Sequence, residues 1–79
     1  MGDVLRLTGL PAPQRCPVAT VRRVPGVIEL RFLCIDGEEL PFDVDTALLG
    51  PEADPEAEEL RLLARLRDMG YDVRRLSPD

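Results

Sequence analysis

From Cys16 to Val24, and again from Val27 to Ile35, apolar and polar residues alternate with the period of a strand. The two runs flank Pro25-Gly26, a pair suited to the centre of a type II turn. A two-residue loop places Ile28, Leu30 and Phe32 on one face with Val21 and Ala19, and sets Glu29 opposite Arg22. Ile35-Asp36-Gly37 then reads as a three-residue hairpin loop with Gly37 in the left-handed position, and Glu38 to Val44 as the returning strand. Its register brings Phe32 to Leu40, Leu30 to Phe42 and Ile28 to Val44, so both hairpins turn the same residues of the central strand to one apolar face. Pro41 requires that its strand lie at an edge, or that its missing donor point away from a neighbour.

A short strand is also expected over Asp3 to Thr8, ended by a Pro-rich loop, and a single helical turn over Asp45 to Gly50. The clearest helix runs over about 55–69: Asp54 is a good N-cap, Pro55 suits the first helical position and Gly70 ends it. Its polar arc holds Glu58, Arg61, Arg65 and Asp68. Its apolar arc carries two stripes, Leu62-Leu66-Met69 and Leu60-Leu63-Ala64, interrupted by Glu59 and Arg67 near their edges. Either the helix is deeply seated or one stripe meets a second subunit. A final strand spans Tyr71 to Leu76, with Val73 inward. The expectation is one small α+β domain over 1–79, a mostly antiparallel meander with one helix on one face, in the order β-β-β-β-α-β.

With Phe32, Phe42 and Tyr71 as the whole aromatic complement of 79 residues, burial rests on Leu, Val, Ile and Ala, and self-association would add to it. The chain has no Lys, Asn, His or Trp, a bias typical of GC-rich bacterial coding that also fits a thermophile. No leader-like or membrane-length apolar run is present, which makes the cytoplasm the expected address.

Charge is segregated along the chain. Residues 1–35 carry five Arg against Asp3 and Glu29, residues 60–79 carry five Arg against three Asp, and the ten carboxylates from Asp36 to Glu59 are uninterrupted by a basic residue. Asp54, Glu56, Glu58 and Glu59 sit where a helix start favours negative charge. Five of the others, around the hairpin turn and the strand after it, supply a candidate surface for a protein partner or a second copy: Asp36, Glu38, Glu39, Asp43 and Asp45. A second candidate is an anion-binding stripe of Arg22, Arg23, Arg74 and Arg75, should the last strand pack beside the first hairpin. With no Lys and few aromatic platforms, nucleic-acid binding through that stripe is the secondary reading.

Catalytic chemistry finds little material. General acid–base and nucleophilic mechanisms draw mostly on His, Lys, Ser or an activated Cys, and here the only serine is Ser77 in the tail. Cys16 and Cys34 are too few for a disulfide framework, and without His they cannot complete an ordinary zinc site. Both are expected as reduced, partly buried small hydrophobes. In the register given above their thiols fall on opposite sheet faces and cannot bridge; a one-residue shift at a bulge would set Cys16 across from Cys34. Phe42-Asp43-Val44-Asp45-Thr46 resembles the nucleophile motif of haloacid dehalogenase-like phosphatases, which implies carboxylates that attack phosphate and hold magnesium. The resemblance ends after five residues. The parallel doubly wound sheet, the later basic residue and the further acidic cluster of that family have no counterpart, so no role is carried over. The sequence thus points to no catalytic, cofactor or metal site and to a non-enzymatic interaction or regulatory module.

Overall fold

The computed structural model describes residues 9–78. The strand expected at Asp3 to Thr8 lies outside the described residues. Four strands form one mixed sheet: β1 (Val18–Val24), β2 (Val27–Leu33), β3 (Glu39–Asp45) and β4 (Asp72–Arg75), in the spatial order β3-β2-β1-β4. A helix, α1 (Pro55–Asp68), precedes β4 and carries the chain back so that β4 lies parallel to β1. The described part is therefore a small α+β fold with a three-stranded antiparallel meander and one parallel edge strand.

The first hairpin turns at Pro25-Gly26, and Gly26 takes the positive φ of 84° that a type II turn demands at its third residue. Its ladder pairs Arg22 with Glu29, Val21 with Leu30 and Ala19 with Phe32. The second hairpin closes on Cys34 and Glu38 around the three-residue loop with Gly37 at φ 89°, and its ladder pairs Phe32 with Leu40, Leu30 with Phe42 and Ile28 with Val44. Both registers follow the alternation in the sequence. Bonds at the two ends of this second ladder, from the Cys34 N–H to the Glu38 carbonyl and from the Thr46 N–H to the Gly26 carbonyl, fix which β3 residues face β2. Leu40, Phe42 and Val44 turn their backbone groups inward. Glu39, Pro41, Asp43 and Asp45 turn theirs away from β2, to an edge that has no partner strand among the described residues. Pro41 thus loses no ladder bond, and a missing donor among three carboxylates discourages edge-to-edge pairing there.

Asp45 caps a 3-10 turn, Thr46–Leu49, with its side chain accepting from the Ala47 N–H at 2.9 Å. Asp54 caps α1 by accepting from the Glu56 N–H at 3.1 Å, with Pro55 in the first turn. The helix ends in a Schellman motif. The Gly70 N–H donates to the Arg67 carbonyl at 3.0 Å and the Tyr71 N–H to the Leu66 carbonyl at 3.1 Å, with Gly70 at φ 107°. That reversal drops Tyr71 into the core, its ring 5.1 Å from that of Phe32 and tilted by 57°.

Ala19, Val21, Ile28, Leu30 and Phe32 on the sheet meet Leu62, Leu63 and Leu66 on α1, with Leu10, Leu40, Phe42, Val44 and Val73 packed around them. Of the two expected helix stripes, only Leu62, Leu66 and Leu63 go inside, while Leu60, Ala64 and Met69 stay exposed. The buried face is centred elsewhere, on Glu59, which is completely inaccessible. The smallest extent of the fold is 17 Å, that of one sheet and one helical layer, so the other sheet face has no covering layer among the described residues.

The cysteines require a correction: Cys16 and Cys34 are bonded as a disulfide, not separate thiols. The unshifted ladder ends at Val18 and Leu33, but the next bond runs from the Ile35 N–H to the Arg15 carbonyl at 3.0 Å. Cys16 and Pro17 together therefore oppose Cys34 alone, a β-bulge that slips the register by one residue and sets the sulfurs face to face. Pro17 has no N–H to give the ladder, and its carbonyl accepts instead from Asp72 at 2.7 Å, the first residue of β4.

Candidate functional site

Alternate residues of the same strands build the open face. Its rows run Asp72, Val18, Leu33, Glu39; then Arg74, Thr20, Arg31, Pro41; then Arg22, Glu29, Asp43; then Val24, Val27, Asp45. A shallow groove of about 360 Å³ crosses it between Thr20, Arg22, Glu29, Arg31, Leu33 and Leu76. Arg22 Nε and Nη2 both reach Glu29 Oε1, at 3.3 and 3.1 Å, as the sequence register predicts. Arg31 lies 3.9 Å from Glu39 and Arg74 3.3 Å from Asp72. The face is polarised across the strands. Arg22, Arg31 and Arg74 occupy β1, β2 and β4, whereas Glu39, Asp43 and Asp45 line β3.

The expected acidic residues are consequently not one cluster. Asp36 and Glu38 belong to the second hairpin tip, where Asp36 accepts from the Glu38 N–H at 3.0 Å and Glu38 pairs with Arg15 at 2.7 Å. Glu39, Asp43 and Asp45 spread along the open side of β3, and Asp43 has no ion pair among the described residues. Cys34 Sγ and carboxylate oxygens of Asp36 and Glu38 lie within 4.8 Å of one another, but a disulfide sulfur offers no thiolate to a metal.

The Arg stripe is divided by the sheet. Arg22 and Arg74 face the open side, while Arg23 and Arg75 reach around the covered side to Glu59 Oε1, each at 2.9 Å. The bond to Glu59 holds the Arg75 guanidinium above its ordinary pKa, and the neighbouring Glu56 carboxylate 3.8 Å away adds to it. This clamp ties the first turns of α1 to β1 and β4. Among the described residues Glu59 Oε2 is buried with no hydrogen-bond partner, and the two guanidiniums on Oε1 supply the neutralisation of that carboxylate. Sequence periodicity missed Glu59 because its partners lie 36 and 16 residues away.

Comparison with family models, curated proteins and solved structures returns no match, so any functional reading rests on this geometry. No helix among the described residues is long and apolar enough to cross a membrane.

Proposed function

We propose that this chain is a non-enzymatic protein-interaction module that docks through the open face of its sheet. The observation that carries the reading is the sheet face that the described residues leave uncovered, where half-buried Val18, Thr20, Val24, Val27 and Leu33 alternate with charged pairs around a shallow groove. Apolar pairs at the two ends of the first hairpin, with charged and polar side chains between them, leave both apolar and polar groups for a partner to meet. Glu39, Asp43 and Asp45 form its acidic border, with Asp36 and Glu38 at one corner. The occupant is a protein, either a different chain or a second copy of this one.

The alternative, a nucleic-acid-associated protein using Arg22, Arg23, Arg74 and Arg75, has less support: all four guanidiniums are already paired with carboxylates, on two sides of the sheet. We place the protein in the cytoplasm of a GC-rich bacterium. A lasting Cys16–Cys34 bridge in that compartment fits a thermophilic source, with which the composition is compatible, though less closely than with GC-rich coding.

A photo-crosslinking amino acid placed at position 31, on the open face, and separately at position 65, on the exposed side of α1, tests the docking surface in the source cell. Polypeptide adducts are expected at position 31 and not at 65. Equal labelling at both, or none at either, would overturn the reading.

A further inference from the structure

We infer that Cys16, Cys34, Asp36 and Glu38 form a zinc site once the disulfide is reduced. The inference stands independently of the docking reading, because it concerns a metal ion rather than a partner chain.

Three donors come from one loop. Cys34, Asp36 and Glu38 alternate along the second hairpin, and Cys34 Sγ and a carboxylate oxygen of each acid lie within 4.8 Å of one another. Bonds that make no use of the sulfur hold the loop in that shape: the Cys34 N–H to the Glu38 carbonyl at 2.8 Å, the Gly37 N–H to the Cys34 carbonyl at 2.9 Å and the Glu38 N–H to Asp36 Oδ1 at 3.0 Å. The fourth donor, Cys16 Sγ, comes from the segment leading into β1 and is bonded to Cys34 Sγ. Its backbone is placed separately from that bond, by the Cys16 N–H on the Ala12 carbonyl at 2.9 Å and the Ile35 N–H on the Arg15 carbonyl at 3.0 Å. The bulge at Pro17 therefore gathers four donors where the unslipped register would gather three.

Reduction supplies the thiolates. A cellular dithiol gives two electrons and two protons to the bridge, becoming a disulfide itself, and each cysteine sulfur becomes a thiol; on binding, each thiol releases its proton to solvent and a sulfur lone pair goes to the ion. Tetrahedral zinc, with bonds of about 2.3 Å to sulfur and about 2.0 Å to oxygen, sets its sulfurs about 3.8 Å apart and each sulfur about 3.5 Å from an oxygen. Breaking the S–S bond moves the sulfurs out to such a contact in any case, and the carboxylates need to close in by no more than about 1.5 Å. Two thiolates among the donors select zinc over calcium or magnesium, which take oxygen ligands. Four anionic donors exceed the charge of one divalent ion, and the Arg15 guanidinium, 2.7 Å from Glu38 Oε1, offsets part of the excess. Both cysteines are buried while Asp36 and Glu38 are exposed, so the ion enters from the carboxylate side.

Cobalt(II) and zinc(II), each added to the full chain with and without a phosphine reductant, test the site; the phosphine becomes its oxide, with oxygen from water, as the bridge becomes two thiols. The reduced chain should take up one cobalt per chain with the absorption of tetrahedral thiolate coordination, lost when zinc displaces it, and the oxidised chain should bind at least about a hundredfold more weakly. Asp36→Asn and Glu38→Gln alter exposed side chains, with the fold checked by circular dichroism. Each should weaken zinc at least about tenfold, because a lost ligand costs no less than a lost outer-shell partner. Zinc should also restore amide protection at Ile35 in the reduced chain, and should fail to do so when Cys16→Ser and Cys34→Ser are combined. No metal uptake by the reduced chain, equal uptake by the oxidised chain, or an unchanged affinity in either carboxylate variant would overturn the inference. One ion shared between two chains would overturn it as well.

Discussion

The two faces of this sheet are made from alternate residues of the same four strands, yet they obey different physics. On the covered face Ala19, Val21, Ile28, Leu30 and Phe32 are wholly inaccessible and pack against α1, so volume and shape decide which residues fit. On the open face Thr20, Arg22, Glu29 and Arg31 keep contact with water, and charge placement decides what lies beside what. One face specifies the fold. The other is largely free of that duty, which is the condition a docking surface needs.

The sharpest way to break this contrast is to remove volume from the covered face. Phe32 is fully buried, touches Tyr71 and lies at the crossing of both hairpin ladders. Phe32→Ala should cost about 3–5 kcal/mol, which for a domain of this size approaches the whole of its stability. Urea unfolding followed by circular dichroism checks it; a loss below about 1 kcal/mol would mean the covered face is not the core.

Next in size is the disulfide, which closes a separation of 18 residues around the first hairpin. Constraint of the unfolded chain by a loop of that length is worth about 3 kcal/mol. Reduction, or the double substitution Cys16→Ala with Cys34→Ala, should lower the unfolding free energy by about that amount while leaving the ladder from Val18 to Val24 intact. Amide exchange resolved by residue reads both effects, with protection lost first at Ile35, whose N–H bonds the far side of the bulge.

Most of the meander was legible in the sequence because its information is local: Pro25-Gly26 and Asp36-Gly37 fix two turns, and alternation fixes which side chains share a face. The helix was legible from Asp54-Pro55 and Gly70 for the same reason. What escaped depends on partners distant in sequence. Glu59 sits three, four and seven residues before Leu62, Leu63 and Leu66, in the middle of the buried face, yet only Arg23 from β1 and Arg75 from β4, both distant in sequence, make a carboxylate tolerable there. The bulge at Pro17 is likewise set by the bond from Asp72, which no local pattern reports. Charge shows the same limit in reverse. Blocks that are segregated along the chain interleave once folded, Arg15 with Glu38, Arg31 with Glu39, Arg23 and Arg75 with Glu59, so part of the acidic run is paired from both flanks.

A smaller effect belongs to the far border of the covered face. The Tyr71 hydroxyl donates to the Pro11 carbonyl, and burial raises its pKa above the ordinary value of about 10. The folded protein therefore holds this proton more tightly than the unfolded chain does. Its contribution to stability is complete below pH 10 and is lost as pH rises through the folded value. Tyr71→Phe should cost about 1 kcal/mol at neutral pH and flatten the alkaline end of the stability profile, measured by thermal melts between pH 7 and 11. An unchanged alkaline limb in the variant would assign that limb to other groups.

The smallest expected effect completes the comparison, one position along from Phe32. Arg31 points to the open side, about half exposed, and its pair with Glu39 spans 3.9 Å through solvent. An exposed pair of that geometry contributes little, because ordering two long side chains offsets most of a screened attraction. Arg31→Ala should therefore move the unfolding free energy by less than about 0.5 kcal/mol, against the several lost at its neighbour. The same substitution should still weaken docking at the open face, since Arg31 lines its groove. Stability held while photo-crosslinking from position 33, on the same face, falls is the outcome that separates the two faces by function. A stability loss comparable to that of Phe32→Ala would instead make the open side part of the core, and no surface would remain to dock anything.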